Sequence, residues 1–97
     1  VDGPLYLDVA IDTEAGKHKG ATDRAIQGDA DVLLFPDIHA GNLVYKCLVH
    51  TAKVINGNIL TGTKAPVILT SRSDDFETKV NSIALGAVVA EAMAKNN

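Results

Sequence analysis

Ala65-Pro66-Val67-Ile68-Leu69-Thr70-Ser71-Arg72 reads as an apolar run that ends on a hydroxyl and a guanidinium. A short apolar segment bounded by proline on one side and polar residues on the other predicts a strand covered on both faces. In open α/β sheets, ligands sit outside the carboxyl ends of the strands. An arginine there can hold a phosphate or carboxylate with its planar fork of donors. The neighbouring serine can donate to, or accept from, a reacting group. The stretch therefore predicts a fold class and a site together.

A second stretch supports the same reading. Asp31 to Pro36 holds Val32-Leu33-Leu34-Phe35, again a short apolar run between polar residues and proline, with Asp37 and His39 at its carboxyl end. Ala40-Gly41-Asn42 leads into a helix on which Val44, Cys47, Leu48 and Thr51 recur at helical spacing. After Ser71-Arg72, Asp74 with Glu77 predicts a capping-box start. The helix then runs to about Lys95, with Phe76, Val80, Ile83, Ala84, Ala87 and Val88 on one face and Glu91–Lys95 as an i, i+4 pair. Upstream, Pro4 to Ile11 fits a strand or a short proline-opened helix, and Thr13 to Lys19 a polar turn ended by Gly20. Asn56-Gly57 predicts a turn. Strand, helix, strand, helix implies βαβ units: an α/β fold with a partly parallel sheet and flanking helices.

Composition narrows the partners. The 97 residues suffice for one small domain, with 46% apolar and 22% charged residues. A net charge of −3 leaves no basic footprint for nucleic acid. The single Cys47 rules out an internal disulfide and fits a reducing compartment; on its helix face it reads as a small buried hydrophobe. The longest apolar stretch, Ile83 to Ala90, is too short to span a bilayer. A soluble, cytoplasmic protein is expected. The chain opens on Val1 with no initiator methionine, which raises the expectation of a piece of a longer polypeptide.

Three constellations could carry chemistry. In Pro36 to Lys46, Gly41 allows close backbone approach, Asn42 can cap or donate, and Lys46 follows one turn later; a plain strand-to-helix turn explains most of it. In Leu60 to Pro66, Gly62 and the threonines could form a small anion nest with Lys64 as a point charge, or simply a polar loop. In Ser71 to Lys79, a helix start accounts for Asp74, Asp75 and Glu77. It does not account for Arg72, whose charge is misplaced at a helix's positive end without an anion nearby. His18, His39 and His50 show no joint ligand spacing, so no metal is expected.

These motifs resemble one family. Asp2-Gly3-Pro4-Leu5, Gly28-Asp29-Ala30-Asp31-Val32-Leu33-Leu34-Phe35-Pro36-Asp37, Gly41-Asn42-Leu43-Val44-Tyr45-Lys46, Gly62 with Lys64 and Pro66, then Ser71-Arg72 follow the order of the C-terminal third of the phosphate acetyl/butyryl transferases. His18-Lys19-Gly20, Lys64-Ala65-Pro66-Val67, Leu69-Thr70-Ser71-Arg72 and Ser82-Ile83-Ala84-Leu85 are similar to the butyryltransferase branch. The resemblance implies part of a two-domain fold like that of isocitrate and isopropylmalate dehydrogenases. Residues 1–72 would belong to the second α/β domain, and 73–97 would form a C-terminal helix packing toward the first. It implies acyl transfer between coenzyme A and inorganic phosphate in a homodimer without a metal or cofactor, the substrates being acyl-CoA, phosphate and acyl phosphate. Ser71 and Arg72 would be catalytic, with Gly41, Asn42, Lys46, Gly62 and Lys64 binding substrate.

One position departs from the pattern. The acetyltransferase branch carries an aspartate, proposed as base for the thiol, seven residues after the serine; here Thr78 stands there and Glu77 precedes it. One helical residue is a rotation of about 100°, so Glu77 does not inherit the role and the base stays open. Two other readings remain at this point, a decarboxylating dehydrogenase-like domain and a small non-enzymatic α/β ligand-binding module.

Overall fold

Helix α1 (Leu7–Ile11), α2 (Thr13–His18), α3 (Ile38–Cys47) with a π-helical turn (Leu48–Ala52) following it, and α4 (Phe76–Lys95) are the regular elements of the computed structural model, which describes residues 1–96. The chain divides into two compact units, Val1–Val44 and a second beginning at Tyr45, so the last residues of α3 belong to the second.

In the first unit, of the strand and the proline-opened helix expected over Pro4 to Ile11, only the short helix Leu7–Ile11 forms, with Pro4 outside it and Tyr6 as its extended N-cap. Asp12 ends α1 and caps α2, its carboxylate accepting from the backbone N–H groups of Glu14 (2.9 Å) and Ala15 (3.4 Å). The two helices bury Val9 and Ala10, Val9 lying against Gly16. The returning chain is tied on by Ala30 N–H to Ala10 O at 3.1 Å. Gly28 has φ +76°, and a Cβ there would lie 2.3 Å from Thr13 N, so both backbone conformation and space demand glycine. Arg24 grips Asp2 with two donors, at 2.7 and 3.2 Å. Against the desolvation that pushes it up, the N–H groups of Ile26 and Gly3 and this guanidinium hold the Asp2 carboxyl below its usual range.

In the second unit, the extended segment 54–60 runs along α4. The helix buries a narrow stripe of small side chains, Thr78, Ser82 and Gly86, spaced i, i+4, i+8. Ser82 is fully buried; its hydroxyl donates to Thr78 O (2.7 Å) and accepts from Asn58 N–H (2.9 Å). Ile59 and Ile68 close on Gly86. A Cβ on Gly57 would come within 3.0 Å of the Asn81 carbonyl, so glycine there permits the contact between segment and helix.

Two expectations are corrected here. The partly parallel sheet of an α/β fold is absent among the described residues: the strand expected over Asp31 to Pro36 is irregular, with Leu34 97% exposed, and Ala65 to Thr70 contributes only one isolated antiparallel bridge, Leu60 to Val67. Parallel pairing needs a crossover of a dozen or more residues that returns to a neighbouring strand. The partner Val67 finds is the segment just before the loop 61–66, and a chain that doubles back so tightly pairs antiparallel. The second correction concerns α4. Phe76, Val80, Ile83 and Val88 are exposed (Phe76 82%), and the buried face is the small polar stripe. Hydrogen bonding to the 54–60 backbone selects that face, which an apolar period cannot reveal.

Candidate active site

The Ser71–Asp74 turn is closed twice. Asp74 N–H donates to Ser71 O at 3.1 Å, and Ser71 N–H donates to Asp74 Oδ2 at 2.8 Å. Asp75 then caps α4, accepting from Thr78 N–H at 2.8 Å. The cap falls one residue later than the capping box predicted from Asp74, because Asp74 is committed to the turn. The Thr78 backbone N–H holds the Asp75 carboxyl below the usual carboxylate range.

Lys46, near the end of α3, reaches this turn. Its Nζ donates to Ser71 Oγ (2.9 Å) and Ser73 Oγ (3.0 Å), and the two hydroxyls lie 3.1 Å apart. An ammonium has three donors and no acceptor, so one N–H remains after these bonds. Among the described residues, Lys46 has no carboxylate partner within ion-pair distance, and neither has the exposed Arg72. The other lysines and arginine with ion-pair partners, Lys17, Lys19, Arg24 and Lys95, lie elsewhere. The turn thus brings the Lys46 ammonium and two hydroxyls together, with Arg72 on the same turn and neither cation within ion-pair distance of a carboxylate among the described residues. Such a group can bind a polyoxygen anion and donate to a carbonyl beside it.

Tyr45 stands behind the turn. Its phenol donates to Asp74 Oδ1 at 3.2 Å and accepts from Asn56 Nδ2 and Asn58 Nδ2, both at 2.9 Å. The Asn56 side-chain carbonyl accepts from the Thr78 hydroxyl at 3.1 Å. Sequence reading did not assign Tyr45, Asn56, Asn58, Ser73 or Asp74 to the site. The available signal was Asn56-Gly57-Asn58, two amides flanking the glycine that lets the segment approach α4.

No side-chain hydrogen bond among the described residues ties the other candidates to this turn. Gly41 and Asn42 belong to the first unit. The helix there begins earlier than expected, at Ile38, with Asp37 Oδ1 accepting from Ala40 N–H at 2.8 Å, so Asn42 is an exposed interior position and not a cap. Gly62 lines a small apolar hollow with Ile59, Val89 and Met93, and Lys64 is exposed on the same loop. Val89 lies about 20 Å along α4 from Phe76 at 1.5 Å per residue, so this loop sits toward the opposite end of the helix from Ser71-Arg72. Cys47 is exposed, which corrects its reading as a buried hydrophobe. Thr78 is 6% exposed, while Glu77 is on the surface.

A family model described as phosphate acetyl/butaryl transferase matches residues 1–87, and the chain belongs to that family. Among individual relatives, it is 59% identical over 90 residues to a phosphate butyryltransferase of Clostridium beijerinckii and 50% identical over 90 residues to a phosphate acetyltransferase of Thermotoga maritima. Each alignment covers 93% of this chain and 30% of the relative, so the chain spans under a third of the length of these proteins. A solved branched-chain phosphotransacylase from Enterococcus faecalis V583 superposes with a TM-score of 0.75 at 44% identity, over 88% of this chain and 32% of that one. That neighbour is a phosphotransacylase, not a dehydrogenase, and the expected isocitrate dehydrogenase-like fold is not what the described residues form.

Proposed function

We propose that this chain is the portion of a phosphate acyltransferase that carries its anion-binding and carbonyl-binding groups. The intact enzyme then moves a short-chain acyl group, butyryl, between coenzyme A and inorganic phosphate. The observation that carries this reading is the Lys46 ammonium on the Ser71 hydroxyl at 2.9 Å, beside an exposed Arg72 that has no ion-pair partner among the described residues. Arg72 offers a bidentate fork to the phosphoryl oxygens, and the remaining Lys46 N–H a point charge. Because Lys46 donates to Ser71 Oγ, the serine's own proton is left to donate to the acyl carbonyl or the thiol.

In the direction of thioester synthesis, the CoA thiolate attacks the acyl phosphate carbonyl. A carbon–sulfur bond forms, the carbon–oxygen bond to phosphate breaks, and phosphate leaves with that electron pair. Charge on the tetrahedral oxygen and on departing phosphate is met by donors already in place, and alignment of the two substrates supplies much of the rate. Thr78 has no titratable group to take the thiol proton. The reading includes a metal-free reaction, a homodimer and a cytoplasmic location. The net charge of −3 supports the lack of a nucleic-acid role, and no helix among the described residues is long and apolar enough to cross a membrane.

The test is the intact enzyme with acetyl-, propionyl- and butyryl-CoA plus phosphate, beside its Arg72→Ala variant. The variant is expected to lose on the order of 10²–10³ in kcat, the scale of removing one preorganised charge-stabilising donor. Unchanged turnover removes the assignment.

A further inference from the structure

We propose that Tyr45 is a positioning residue for the Ser71-Arg72 turn, and that Thr78 acts through it as the far end of a hydrogen-bond relay. The proposal rests on the acyl-transfer reading above and adds two residues to it.

The relay runs through single contacts. The Thr78 hydroxyl donates to Asn56 Oδ1 at 3.1 Å, which turns the Asn56 amide so that its Nδ2 meets the Tyr45 phenol at 2.9 Å. Asn58 Nδ2 supplies a second donor at 2.9 Å. With both donors on its oxygen, the phenol's one proton has Asp74 Oδ1 as its acceptor, at 3.2 Å. The other oxygen of that carboxylate receives the Ser71 N–H at 2.8 Å. The phenol thus fixes the Asp74 carboxylate, and the carboxylate fixes the backbone from which Ser71 Oγ and Arg72 project. Lys46 sits next to Tyr45 on α3 and meets the same serine from its side chain. Adjacent residues of one helix therefore hold the turn twice, once through the backbone and once through the hydroxyl. Of the titratable groups beside the relay, Asp74 accepts from the phenol, Lys46 donates to Ser71, and Asp75 caps α4 at the Thr78 N–H. Thr78 is buried with its hydroxyl turned to the relay, which gives position 78 a role without proton transfer.

The experiment uses the intact enzyme and five variants. Tyr45→Phe removes one oxygen and keeps the ring, and Thr78→Val removes the hydroxyl at nearly constant volume. Each is expected to lower kcat on the order of tenfold through misplacement of the reacting groups, with KM for acyl-CoA within twofold and the shape of the pH profile unchanged. Thr78→Ser is expected to recover most of the loss. The Tyr45→Phe/Thr78→Val double variant should lose little more than either single one, because both cut the same relay. Additive losses, or a Tyr45→Phe enzyme with wild-type kcat, overturn the relay. An Arg72→Ala arm separates the two claims. If that variant is inactive while Tyr45→Phe is normal, only the relay fails; if Arg72→Ala is fully active, the acyl-transfer reading itself fails.

Discussion

Replacing Lys46 by methionine deletes one charge while keeping an unbranched apolar stem, which makes it a clean probe of the anion site. The ammonium holds Ser71 Oγ and Ser73 Oγ at 2.9 and 3.0 Å, so a phosphate oxygen taking its third N–H would lie at a similar range. Two unit charges about 4 Å apart interact by about 4 kcal/mol at an effective dielectric near 20. Lys46 is half-buried, and solvent screening reduces this to roughly 2–3 kcal/mol. At about 1.4 kcal/mol per decade, the intact Lys46→Met enzyme should lose roughly 30- to 150-fold in kcat/KM for phosphate. Thermal unfolding should shift little, because Ser73 is exposed and Ser71 half-buried, so water can replace the lost donor. The assay is thiol release from butyryl-CoA against phosphate concentration at several ionic strengths. The parent's phosphate KM should rise with salt more steeply than the variant's. Lys46→Arg should recover only part of the loss, since a planar fork does not reproduce a point donor between two hydroxyls. A Lys46→Met enzyme whose kcat and phosphate KM both stay within twofold of the parent would refute the reasoning.

Asp75→Ala should lower the unfolding midpoint at pH 7, and the difference from the parent should fade as pH drops below about 4. The Asp75 carboxyl lies below its unfolded range of about 3.9, so its contribution is present above that value and lost as pH falls through the folded one; a gap that persists at pH 2 contradicts this. Gly57→Ala should destabilise by about 1–3 kcal/mol, because the new methyl meets the Asn81 carbonyl carbon and oxygen at 3.0 Å and backbone must move; chemical denaturation with an unchanged midpoint counts against the packing described. The 97-residue chain alone, spanning 30% of its relatives, should show no turnover in a thiol-release assay, and robust activity of the purified chain would show that the site is complete without the remainder.

Sequence reading found the groups that carry charge and missed those that hold them. Arg72 was legible because a cation at a helix start has no local explanation, and it is exposed, with no ion-pair partner among the described residues. Lys46 was legible as a cation on a helix, yet its contact with Ser71 joins residues 25 apart and has no periodic signature. The Tyr45, Asn56 and Asn58 cluster was invisible for the same reason: two amides around a glycine look like a turn, and only their approach to α4 gives them partners. The strands were over-read. Val32 to Phe35 and Val67 to Leu69 have strand composition, but a ladder needs a second chain segment at the right spacing and direction. Within these residues, only Leu60 offers one to Val67. The α4 face was misread because a stripe of Thr, Ser and Gly, buried by hydrogen bonds, carries almost no hydrophobic contrast.

The irregular stretch Val32-Leu33-Leu34-Phe35 has a consequence for handling the chain. It is uncharged, β-prone and free of proline within its length, with its backbone outside any ladder and Leu34 almost wholly exposed. Segments of this composition that reach about six or seven residues stack with copies of themselves into intermolecular sheets, and this one stops at four. Asp31 on one side and Pro36-Asp37 on the other act as gatekeepers, since the acids repel when stacked and the proline cannot donate to a ladder. The proline and aspartate that lead into α3 therefore also limit self-association, and neutralising Asp31 or Asp37 should make the protein more prone to precipitate.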